Sequence, residues 1–148
     1  MDQSVQDEVV FSVGAQIKRT PGMGRPNIFA GFALAGPAMI GVMRAGDAVA
    51  GRWERHDGGD ELLVLMAGRC TVTVRRSDGR QTVHDAGHGD VLLIPKGAAD
   101  SFALQTPEVQ VLFVTPREGN TTWSDTTDSD PLAAQPNSGI KSRRRRYS

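Results

Sequence analysis

The sequence is short of several things, and each shortage removes a class of answer. It has a single cysteine, Cys70, so no internal disulfide can form and burial alone must hold the fold. Aromatic residues make up only 5% of the chain. No aromatic-rich basic surface runs along its apolar segments, so the folded part does not read as a nucleic-acid binder. Neither charge is in excess: Lys plus Arg and Asp plus Glu stand at 17 each, leaving no global field to draw the chain to nucleic acid or membrane. No run approaches ~18 consecutive apolar residues, which argues against a membrane-spanning helix. The opening MDQSVQDEVVFSVG lacks the basic-then-apolar profile of a secretion signal. A cytoplasmic protein with no membrane partner is expected. Phosphate loops, dinucleotide fingerprints and an ordered Ser–His–Asp set are missing too.

What remains is one domain's worth of β pattern. The chain has 148 residues, 39% of them hydrophobic and 23% charged, the balance of a globular protein. No helical period of useful length occurs; short apolar runs alternate with turn residues instead. Strands are expected near 8–13, 27–34, 39–44, 50–56, 61–66, 70–76, 80–84, 90–94, 100–105 and 108–115. Between them lie Asp-Gly-Gly, Ala-Gly, Ser-Asp-Gly, Gly-His-Gly-Asp and Pro-Lys-Gly, residues suited to turn dihedrals. The clearest hairpin joins 70–76 to 80–84 through Ser77-Asp78-Gly79. An all-β, antiparallel sandwich or barrel follows, assigned to residues 1–118. The remainder, 119–148, is rich in Ser, Thr, Asp, Pro and Asn. It offers too little apolar surface to offset ordering entropy, and disorder is expected from about 125 onward. Its Arg143–Arg146 run is read as a solvated tail, and as the one part of the chain that could touch nucleic acid or another anionic partner.

The informative residues lie between Gly51 and Phe113. The stretches WERHDGGDELLVLMAG and GDVLLIPKGAADSF resemble the two sequence motifs of the cupin superfamily. In the first, Glu61 and Gly68 keep the family's glutamate-to-glycine gap, which puts His56 and Glu54 where the family has two histidines. In the second, Gly89, Pro95 and Gly97 match, and Asp100 stands where the family ends on histidine. The resemblance implies a jelly-roll barrel, also called a double-stranded β-helix, with Glu54, His56, Glu61 and Asp100 at the four metal-ligand positions. Three carboxylates and one imidazole suit Fe(II), Mn(II) or Mg(II) better than zinc. Without a cation, at least one of those carboxyls must have a raised pKa, which leaves open a metal-free acid–base site.

Strand alternation puts Leu63, Phe102 and Leu104 on the face shared with Glu61 and Asp100, as a substrate pocket. A small, partly apolar organic ligand fits such a wall. Two readings of function stay open. One is a small enzyme of the isomerase, cyclase or oxygenase type, with Glu61 and His56 catalytic and a divalent metal optional. The other is a non-catalytic barrel that binds or senses a small molecule without metal. His84 and His88 read as turn residues, and Cys70 as a packed one. A homodimer is expected, because the apolar run Ile28–Ile40 exceeds what one barrel face needs.

Overall fold

The computed structural model describes residues 8–124 and 143–144. Eleven strands and one short helix follow in chain order: β1 (Val10–Ser12), α1 (Val13–Lys18), β2 (Ala38–Ala45), β3 (Arg52–His56), β4 (Glu61–Ala67), β5 (Arg69–Arg75), β6 (Gln81–Gly87), β7 (Asp90–Ile94), β8 (Ala99–Leu104), β9 (Val109–Pro116), β10 (Asn120–Ser124) and β11 (Arg143–Arg144). Alternation builds the core. On β5, Cys70, Val72 and Val74 are fully buried while Arg69, Thr71 and Thr73 are not, and on β4 Glu61, Leu63 and Leu65 are buried in the same period-two pattern. Burying one such apolar side chain is worth about 1.5–3 kcal/mol, and a one-residue slip would turn the whole set outward.

All the pairings between these strands are antiparallel and fall into two sheets, ordered β1-β7-β4-β9-β2 and β11-β10-β3-β8-β5-β6. Strands β2 to β9 divide between the sheets as β2-β9-β4-β7 and β3-β8-β5-β6, crossing at every connection except the β5–β6 hairpin, the arrangement of a jelly roll. The fold is therefore the all-β, two-sheet antiparallel jelly roll that the motifs imply. The expected hairpin is β5–β6, closed by Arg76 N–H donating to the Arg80 carbonyl at 2.8 Å, with Gly79 at φ 89°. At the β4–β5 corner Gly68 has φ 86°, and a Cβ there would strike the Glu108 carbonyl, so no other residue fits.

Three stretches differ from the sequence expectation. The strand expected at 8–13 is cut short at Ser12, whose hydroxyl accepts from Ala15 N–H at 3.2 Å and starts α1. The strand expected at 27–34 does not form: Phe29 packs on Phe11 at 5.2 Å, Ile28 is 82% exposed, and only Leu34 bridges, to Gly59. Apolar composition without a neighbouring strand edge leaves that run irregular. Finally, the second sheet gains β10 beyond residue 118, where Trp123 lies opposite Trp53 and stacks on it at 6.2 Å. Apart from Arg143–Arg144, whose backbone pairs with β10, the expected disordered tail lies outside the described residues.

Candidate functional site

The site is assembled by register. On β3, Arg52, Glu54 and His56 face the interior, while Trp53 faces outward to Ala99 and Trp123. On β8, the residue paired with Glu54 is Asp100. From the opposite sheet come Glu61 at the start of β4 and Thr115 near the end of β9. His56, Glu61, Asp100 and Thr115 are all buried, at 2%, 4%, 1% and 2% exposure. Three ionisable groups and a hydroxyl out of water in one place is an arrangement that must be compensated.

His56 is held by two contacts. Its Nδ1 lies 2.6 Å from Asn120 Oδ1, and the Asn120 amide nitrogen donates to the Pro116 carbonyl at 2.8 Å. That second bond fixes which end of the amide meets the ring, so Nδ1 is the donor and carries the proton. Nε2 then points at the carboxylates, 3.0 Å from Glu61 Oε2 and 3.7 Å from Glu54 Oε2. The 3.0 Å approach is not aligned as a hydrogen bond, and Nε2 is left without a hydrogen-bond partner among the described residues. The Thr115 hydroxyl donates to the same Glu61 oxygen at 2.7 Å.

Electrostatics follow from this crowding. Burial pushes the His56 pKa down, but the Glu61 carboxylate at Nε2, with Asp100 and Asn120 behind it, overrides that and lifts it to about 10. Asp100 is raised well above its usual 3.8, first by burial and then by Glu61 and Glu54, with His56 opposing. Neither Asp100 oxygen has a hydrogen-bond partner among the described residues. Without a cation, the interior therefore favours an imidazolium beside Glu61, and burial favours the protonated form of Asp100.

Of the four expected ligand positions, the structure brings three together. One ligating atom each from Glu54, His56 and Glu61 lies within 4.8 Å of the others, whereas Asp100 stands outside that cluster. All three carboxylates line a cavity of ≈ 310 Å³ between the sheets, together with Leu63, Phe102 and Leu104 as expected. The sequence reading missed Arg52, Val111, Phe113 and Thr115 of this lining, and Asn120 behind His56. Asn120 and Thr115 lie outside both motifs, and only cross-strand register reveals their role. His88 is exposed, His84 is half-buried with Nε2 2.8 Å from the Thr82 hydroxyl oxygen, and Cys70 is fully buried with its thiol pKa pushed up to about 11 by burial. None of the three joins the site. Among the described residues, no helix is long and apolar enough to cross a membrane.

No family model matches the chain, and a search of curated proteins finds no match. Solved structures do resemble it. A tryptophan-to-tyrosine variant of oxalate decarboxylase from Bacillus subtilis has a TM-score of 0.49 at 16% identity, over 59% of this chain and 23% of that one. A structure concerned with the Mn(II) centres of the same enzyme scores 0.47 at 16% identity, over 59% and 23%. A third, on proton-coupled electron transfer in oxalate decarboxylase, scores 0.49 at 16% identity, over 63% and 26%. This chain spans about a quarter of the length of those proteins.

Proposed function

We propose that the protein is a small enzyme that binds a divalent cation at Glu54, His56 and Glu61 and acts on a small organic metabolite in the adjoining cavity. The observation that carries this reading is the orphaned Nε2 of His56. Asn120 fixes the tautomer so that, in the neutral ring, the Nε2 lone pair faces two carboxylates, an arrangement that calls for a cation between them, either a proton or a metal ion. Two oxygen donors and one imidazole suit a hard or borderline ion, iron, manganese or magnesium ahead of zinc. Such an ion would supply Lewis-acid polarisation of a substrate oxygen. The chain's own residues do the rest. Thr115 and Asn120 hold Glu61 and His56 in place, and the apolar walls exclude water from the substrate. Asp100, whose burial favours its protonated form, would give a proton to a bound molecule and Glu61 would accept one.

That last pair supports a second reading, a metal-free acid–base enzyme, and a purely binding barrel is the third outcome to be separated. Elemental analysis of protein purified without chelator or affinity metal should find a stoichiometric divalent cation. Glu61→Gln should then lose it, because the amide is the poorer ligand. If native protein holds no cation and gains no thermal stability from Mn(II), Fe(II) or Mg(II), the metal reading falls. Turnover lost in Glu61→Gln without any change in ligand affinity would then mark the acid–base enzyme.

A further inference from the structure

Among the described residues, Arg52 is the one arginine or lysine that lines the cavity, and no sequence motif singles it out. It lies on β3 with the inward parity of Glu54 and His56, and is half-buried. Elsewhere, Arg44 is paired with Glu108, Arg55 with Asp57 and Arg80 with Asp78. The Arg52 guanidinium makes no such pair with any described residue. A partly desolvated guanidinium facing apolar walls is costly unless an anion meets it, and its planar fork matches a carboxylate. The cavity lining is thus basic at Arg52, acidic at Glu54, Glu61 and Asp100, and apolar elsewhere apart from Thr115. Glu54, Glu61 and Asp100 form the acidic part, with His56 against Glu61, and Arg52 stands two residues along β3 from Glu54, about 7 Å at strand rise. Phe102, Leu104, Val109 and Val111 line the same space.

We propose that Arg52 is the specificity-determining residue of this cavity, and that the ligand is a small carboxylate with an apolar body. The carboxylate sits on Arg52, the body lies along Phe102 and Val111, and the far end reaches His56, Glu61 and Asp100. An anion seated at that far end would instead face Glu54 and Glu61. The inference builds on the cavity as a small-molecule site and does not require the cation.

The test is calorimetry on the full chain after chelator treatment, with acetate, hexanoate, hexan-1-ol and hexylamine. Hexanoate should bind, with the other three weaker by roughly tenfold or more, since one charge-assisted contact to a charged group is worth about that factor. Arg52→Gln should cost hexanoate roughly tenfold and leave hexan-1-ol unchanged, which also shows the cavity intact; Arg52→Lys should fall between. The proposal is overturned if hexanoate does not bind, if hexan-1-ol or hexylamine binds as well, or if Arg52→Gln changes nothing. Hexanoate binding that needs added Mn(II) and ignores Arg52→Gln would put the carboxylate on the cation, sinking this inference and sparing the metal reading. Arg52-dependent binding in a protein that takes up no metal would do the reverse.

Discussion

At the scale of single residues, the site spends stability for chemistry, and Asp100 shows how. A carboxyl whose folded pKa lies above the unfolded 3.8 keeps its proton longer in the folded state. The folded protein then binds more protons than the unfolded one, so this group's contribution falls as pH climbs from about 4 through the raised value. Asp100→Asn removes that fall. In chelator-treated protein the substitution should therefore raise stability at pH 7, with the gain vanishing toward pH 4. Melting curves at the two pH values check it; an equal effect at both would mean Asp100 is not held neutral. His56, Glu61, Asp100, Leu63, Phe102 and Leu104 were legible in the sequence because motif spacing and strand parity both mark them. Glu54 was legible too, although it keeps a third of its side chain in solvent. Arg52 was not, because nothing local distinguishes an inward arginine at the start of a strand from an outward one.

At the scale of elements, the sequence showed the strands where alternation and turn residues coincide, and missed them where composition pointed elsewhere. Residues 120–124 read as tail because Asn, Thr and Ser dominate, yet β10 pairs along β3, and four of its five residues are buried. What decides it is Trp123, matched to Trp53 across the ladder, with Arg75 over the Trp53 ring at 4.3 Å. Trp123→Ala should cost about 3–5 kcal/mol, read by denaturant melts. A loss below about 1 kcal/mol would mean that β10 is held mainly by its backbone ladder. The run 27–34 failed in the opposite way: it has strand-like residues and no partner edge. Register between distant strands is what the sequence does not display, and both elements turned on it.

At the scale of the whole molecule, one outer face stands out. Ile40 and Val42 on β2 are 76% and 77% exposed, and Leu112 and Val114 are their half-buried partners on β9. Leu62 and Val64 on β4 continue the same apolar face, half-buried. An apolar sheet face of that extent is an interaction surface, and we propose a second copy of this chain as its occupant. Light scattering at tens of micromolar should give a dimer, and Val42→Glu a folded monomer; a native monomer would reject the expectation. The interior has its own consequence at this scale. Glu61 and Thr115 belong to one sheet, and Glu54, His56, Asp100 and Asn120 to the other. Whatever occupies the space between them acts as a rivet through two plates. Opening the sandwich and emptying the site become a single event, so the protein cannot shed its occupant's grip by halves. Ligand at a hundredfold over its dissociation constant should add about 2.7 kcal/mol to unfolding, and both sheets should melt together.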